Sequence, residues 1–132
     1  MANEAVLIYE TELPVPITVA NATGIEKGTV LALTDPNTGT ASTADNDIFG
    51  GIAAEEKIAS DGRTKIGTYY GGIFKMVVSS TGSTVGKLQV IKGANTIGDY
   101  TTLDGELGYV IGKALETGTN GETILVFVGK GS

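Results

Sequence analysis

The groups able to do covalent or metal chemistry are few. Lys75 lies in Ile73-Phe74-Lys75-Met76-Val77, loosely like the Met-Lys-Met hairpin of biotin carrier domains. A lysine that is modified there must stand at an exposed turn. This one lies in an alternating apolar run with no turn residue beside it, so it reads as a solvent-facing strand lysine. Asp45-Asn46-Asp47 sets three oxygen-bearing side chains together, which suits calcium, but the EF-hand spacing and its closing Glu are missing. A polar loop is the simpler reading. Glu55-Glu56 and Glu10 with Glu12 are carboxylate pairs. Glycoside hydrolysis needs two carboxylates across a cleft, usually with aromatic platforms, and the chain has three Phe, five Tyr and no Trp. There is no His and no Cys. That removes Ser-His-Asp and Cys-His nucleophile systems, Cys/His zinc sites and any disulfide. No Walker-type phosphate loop occurs. The residues therefore predict no catalytic, cofactor-binding or metal-ligating position, and a protein that is not an enzyme.

Charge narrows the partners. The formal net charge is −6 and Arg63 is the only arginine. Duplex binding needs clustered Lys and Arg, so no nucleic-acid partner is expected. No run approaches the 18 or more apolar residues of a membrane-spanning helix, and no basic-then-apolar leader opens the chain. The length of 132 residues is one domain's worth. Charged residues are 18% against a usual ~25%, and 20 glycines are about twice the usual share. Abundant Gly beside abundant Thr joins many turns to many β-branched residues. That composition predicts an all-β fold, a small antiparallel β-barrel-like or sandwich domain.

Residues 1–20 differ from the rest, since all 20 glycines come later. Ala5-Val6-Leu7-Ile8-Tyr9 is a strand pattern. Pro14 and Pro16 then force extended backbone and cannot donate to a sheet ladder. We read 1–20 as an extended N-terminal arm and 21–132 as the β-domain. An edge strand tied to the barrel is the plainer alternative for the arm. Beyond Gly24, short strand patterns alternate with turns, at Thr29–Thr34, Ile48–Glu55, Lys65–Tyr70, Ile73–Val78, Lys87–Ile91, Leu107–Ile111 and Thr123–Val128. Asp61-Gly62 is a hairpin signal.

The chain repeats itself. Gly28-Thr-Val-Leu-Ala-Leu matches Gly86-Lys-Leu-Gln-Val-Ile, Gly51-Ile-Ala-Ala-Glu matches Gly112-Lys-Ala-Leu-Glu, and Asp61-Gly62 matches Asn120-Gly121. The pseudo-repeats run over about 28–72 and 86–131, joined near 79–85, and Gly28, Gly51, Gly62, Gly86, Gly112 and Gly121 are their structural turns. The second copy of the "Gly-x-Ala" segment is too glycine-flanked for a helix. A strand is therefore expected at Gly51–Ile58 as well, against the helix that Ala, Glu and Lys there would allow.

The arm, Gly28–Thr34, Gly50–Ala54, Lys65–Phe74 and Ile111–Glu116 together resemble the head decoration, or capsid cement, proteins of tailed viruses with HK97-type capsids. The motifs are glycines and small apolar residues at strand starts, spread over nearly the whole chain. The resemblance implies a small β-barrel-like domain, commonly a homotrimer, that binds the major capsid protein and stabilises the assembled head. It places the protein on the outer surface of the virion head, and in the host cytoplasm during assembly. It gives the capsid contact to the arm, here Ala5, Val6, Leu7, Ile8 and Tyr9, which have the composition to add a strand to a neighbour. Ile73, Phe74 and Val77 exceed what one small barrel buries and are candidates for the subunit interface. A β-rich adhesive, fibre or surface-layer module is the alternative.

Overall fold

The computed structural model describes residues 3–101 and 109–129. It is all-β, with eleven strands among the described residues: β1 (Val6–Tyr9), β2 (Val15–Thr18), β3 (Val30–Thr34), β4 (Thr38–Ala41), β5 (Phe49–Ala53), β6 (Lys65–Tyr69), β7 (Gly72–Val78), β8 (Leu88–Gly93), β9 (Thr96–Asp99), β10 (Gly112–Ala114) and β11 (Thr123–Val128). The strand expected at 107–111 begins outside the described residues. The strand expected over Gly51–Ile58 ends at Ala53; beyond it the chain bends, makes a single bridge at Lys57 and turns, and no helix forms there.

The strands close into two five-stranded barrels. The first runs β2-β4-β3-β5-β6, and the second β7-β9-β8-β10-β11, with β1 added beside β7. Strand for strand the order is the same. Each barrel is antiparallel except at one seam, where β2 meets β4 and β7 meets β9 in parallel. The repeat extends to single hydrogen bonds. Gly28 N–H donates to Ala53 O at 2.9 Å, and Gly86 N–H to Ala114 O at 2.8 Å. The bridge Ile25–Lys57 has its counterpart in Ser83–Gly118.

The units are longer than the sequence repeats. Each begins one strand earlier, and the junction is the Tyr70-Gly71 turn between β6 and β7, not the 79–85 stretch. The boundary read at residue 20 likewise falls inside the first barrel. β2 pairs with β6 over four residues, and Ile17 and Val19 are buried in the core with Ile25, Leu31, Ala53 and Ile66. Pro16 is tolerated because of its side of the strand. Val19 N–H donates to Thr64 O, so Val15 and Ile17 direct their backbone groups to β6, whereas Pro14 and Pro16 face the other way. On that side β2 meets β4 only at Thr18, and no ladder bond is lost.

The second core spans the barrel boundary. Phe74, Met76, Val78, Ile91, Ile97, Ile111, Ile124 and Val126 fill the second barrel, and Val30 and Ile52 of the first are buried in the same cluster. Burying side chains of this size stabilises by ~1.5–3 kcal/mol each. The two barrels therefore share apolar contact as well as a chain.

Candidate functional site

The N-terminal strand is clamped at several points. Val6 pairs with Lys75, Leu7 with Phe74 and, after a bulge, Tyr9 with Ile73. Ala5 N–H donates to Gly28 O at 2.8 Å, so β1 touches both barrels. Gly28 makes that contact possible: its φ is +89°, and a Cβ would strike the Ala5 carbonyl. Its repeat partner Gly86 has φ +85° with open space around it. Further along, Tyr69 OH donates to Glu10 Oε2 at 3.0 Å, and the Tyr69 and Phe74 rings meet edge-on at 5.7 Å. Burial, reinforced by the Glu10 carboxylate, pushes the Tyr69 hydroxyl above its ordinary pKa. Of the five arm residues, Ala5 is buried, Leu7 packs on the core, and Val6, Ile8 and Tyr9 are exposed.

Those exposed residues continue across the second barrel. Register sets Tyr9, Ile73, Phe127, Lys113 and Leu88 side by side over five strands. Val6, Lys75 and Leu125 form the adjacent row. Leu125 O accepts from Leu115 N–H, which extends that row by one strand. Both rows lie on the outer face: Lys75, Tyr9 and Val6 are exposed, and Ile73, Phe127, Leu88 and Leu125 are half-buried. Ile73 and Val77 belong to this face. Phe74 does not; it is 1% exposed and fills the barrel interior, because even-numbered positions of β7 point inward.

The turn glycines divide. Gly28, Gly51, Gly62, Gly86 and Gly121 have positive φ. Gly112 does not; there a side chain would run into the Phe127 carbonyl. The acidic groups serve turns. Asp47 Oδ2 accepts from Thr43 and Ala44 N–H at 2.9 and 3.2 Å, and Asp45 pairs with Lys92 at 3.3 Å. Glu55 takes the Arg63 guanidinium and the Gly67 N–H. Asp61 and Glu122 occupy equivalent turns, accepting from Ile58 and Thr119 N–H respectively. The Arg63 backbone N–H first, with the Arg63 side chain and Lys57 helping against desolvation, lowers Asp61 to about 2. The Thr119 backbone and hydroxyl lower Glu122. No cluster of three carboxylates able to hold a metal occurs among the described residues.

Two groups escaped the sequence reading. Lys57 is 2% exposed, and its ammonium donates to the carbonyls of Asn21 (2.6 Å), Thr23 (3.1 Å) and Ile58 (3.3 Å), with Asp61 at 3.4 Å. Its counterpart is Gly118, so the repeat itself could not reveal it. Asn95, at the β8–β9 hairpin tip with φ +58°, is fully buried against the first barrel. Its Oδ1 accepts from Val30 N–H at 2.8 Å, and its own N–H donates to Ser42 Oγ at 3.0 Å. An Asn beside Gly-Ala between two strands signals only a turn.

The fold defines an all-β tandem-barrel protein. Its architecture is similar to the crystal structure of the N base of head fiber gp8.5 in bacteriophage phi29, with a TM-score of 0.55 at 16% sequence identity, over 87% of this chain and 93% of that one. No protein-family model and no curated protein sequence matches the chain. The likeness is one of fold, to a protein associated with a phage head; membership of the HK97-type decoration family is not carried by it.

Proposed function

We propose that this chain is a structural protein of a phage head that binds the outer surface of the assembled capsid, through the major capsid protein, and stabilises it without performing a reaction. One observation carries the reading: the likeness to the phi29 head fiber base extends through both barrels and leaves little of either chain unmatched. The absence of His and Cys and the use of the carboxylates in turns agree with a role in contact. The assembly proposed is a homotrimer, and the outer surface around Tyr9, Val6 and Lys75 offers exposed side chains for its contacts or for the capsid. Binding only the expanded lattice would stabilise that state by mass action.

The test uses heads assembled without the protein. Added chain should sediment with expanded heads, leave isolated capsid subunits alone, and raise the temperature at which filled heads release DNA. Equal release temperatures for decorated and bare heads would refute stabilisation. Because the matched structure is the base of a head fiber, a fibre-base module is the second reading. It predicts binding to heads with no change in release temperature.

A further inference from the structure

The repeat shows one place where the two barrels are built differently. In the second barrel Asp99 of β9, opposite Gln89, is bonded on every side. Its carboxylate accepts from Thr84 N–H, Thr84 Oγ1 and Gln89 Nε2, each at 2.8 Å, and its own N–H donates to Gly82 O at 2.9 Å. Thr117 Oγ1 accepts from the next amide, that of Val85, at 3.0 Å. In the first barrel Ala41 of β4, opposite Leu31, holds the place of Asp99. The equivalent bridges Ile25–Lys57 and Ser83–Gly118 put Glu26 in the place of Thr84 and Glu56 in that of Thr117. No backbone hydrogen bond joins Ala41 N–H to Gly24 O, and a cavity of about 340 Å³ is lined by both of them, with Ile25, Thr29 and the two glutamates.

Thr29 is the most buried residue of this cavity, at 1% exposure, and its hydroxyl has no hydrogen-bond partner. Glu56 is exposed; its backbone carbonyl takes Arg63, and its carboxylate makes no bond among the described residues. Glu26 has an interaction of its own, and a carboxylate has acceptor sites for several donors. Lys57 also lines the cavity, but its ammonium is held by the Asn21, Thr23 and Ile58 carbonyls and by Asp61. We propose that this cavity takes a lysine or arginine side chain of a partner protein, its aliphatic stem along Ile25 and Ala41 and its cationic head on the glutamates and the Thr29 hydroxyl. The partner's identity rests on the capsid reading above, which makes the side chain one of the capsid surface. Charge supports this occupant. Residues 1–70 hold ten Asp and Glu against four Lys and Arg, and residues 71–132 five against five, so the whole net charge of −6 lies in the first 70 residues. A phosphate or carboxylate ligand would meet that charge unfavourably. The volume, near the small end of the roughly 300–1,000 Å³ of ligand pockets, suits one side chain better than a cofactor.

The probes are the tripeptides acetyl-Gly-Lys-Gly-amide and acetyl-Gly-Arg-Gly-amide, titrated into the isotope-labelled full chain and followed by NMR, with the norleucine tripeptide as control. At least one cationic peptide should shift the amides of Gly24, Thr29 and Ala41, and norleucine should not. Ala41→Leu, which fills the cavity, and Glu56→Gln should each weaken that binding about tenfold, with circular dichroism confirming the fold. Thr29→Val should weaken it too, while holding or raising the melting temperature of the free chain, because it removes a buried hydroxyl that has no partner there. Shifts that meet these terms uphold the site even if the chain fails to bind heads; that failure removes only the capsid reading. Where the chain binds heads, Glu56→Lys should weaken the binding about tenfold, and unchanged binding would overturn the cavity as the capsid contact. No shift with either cationic peptide, equal shifts with norleucine, or a Thr29→Val chain that melts well below the wild type would overturn the site.

Discussion

Asn95→Ala separates what the inner clasp contributes from what the hairpin itself costs. The substitution removes the acceptor of the Val30 N–H, a donor with no access to water. Leaving it unsatisfied costs ~1–3 kcal/mol. Alanine must also adopt φ +58°, at ~1–2 kcal/mol. The expected loss is thus about 2–5 kcal/mol. Asn37→Ala carries the backbone cost alone, because that side chain is exposed at the same hairpin position. It should lose only about 1–2 kcal/mol. Asn95→Gly relieves the φ and should retain the hydrogen-bond loss of about 1–3 kcal/mol. Urea unfolding of the three variants at a concentration where the chain is monomeric provides the comparison, with calorimetry alongside. At roughly 3–5 °C per kcal/mol for a chain of this size, the hydrogen-bond difference of about 1–3 kcal/mol should make Asn95→Ala melt about 3–15 °C below Asn37→Ala. Because Val30 and Ile52 lie in the second barrel's core, the wild type should unfold in one transition. Equal losses for Asn95→Ala and Asn37→Ala would refute the clasp.

Gly28→Ala should cost more than Gly86→Ala, which carries only the backbone strain of ~1–2 kcal/mol, and should expose the amide of Ala5 to hydrogen exchange. Lys57→Met should destabilise by about 2–4 kcal/mol, read from urea midpoints, since it leaves the Asn21 and Thr23 carbonyls without their donor. The folded-state pKa of Asp61 is below its ordinary 3.8, so its contribution is present above about pH 4 and is lost as pH falls through about 2; Glu122 acts in the same sense. Melting temperature should therefore decline below pH 4 and stay level between pH 6 and 8, where no histidine titrates.

The two-fold repeat and the strands β3, β5, β6, β7, β8 and β11 were legible because turn chemistry is local, whereas β2, β4 and β9, which form the two parallel seams, were not read as strands. Gly28 and Gly86 sit at equivalent backbone sites, and Asp61-Gly62 and Asn120-Gly121 mark equivalent hairpins. The number of barrels was less legible. A repeat of about 60 residues fits either two halves of one barrel or two whole barrels, and only the long-range closure of β2 onto β4 decides between them. Phe74 was misplaced on the interface side because Ile73 and Val77 flank it with equal hydropathy. The parity of β7 is set by its partners β11 and β1, which periodicity within the run does not encode. Lys57 and Asn95 were hidden for a related reason: each is satisfied by carbonyls or amides more than 30 residues away in the chain.

The same edge is treated differently in the two barrels, and the prolines explain how. On the second barrel, Val78 donates to Glu122 and Ser79 to Ile97, so the odd positions Ile73 and Lys75 of β7 turn their backbone groups toward the side where β9 stops short and β1 takes over. On the first barrel the corresponding positions are Pro14 and Pro16, facing the side where β4 meets only Thr18. With no N–H at either position, that edge offers carbonyls alone and cannot complete a ladder with an incoming strand. Had valines stood there, the exposed edge would compete with β7 for β1 of another copy, and the strand exchange would link chains in an unregulated way. Pro14→Val with Pro16→Val should therefore produce concentration-dependent aggregation while the monomer remains folded. Sedimentation velocity over a range of protein concentrations, with circular dichroism for the fold, reads the effect. A double-valine chain that assembles no further than the wild type would show that the edge is closed by something other than its missing donors.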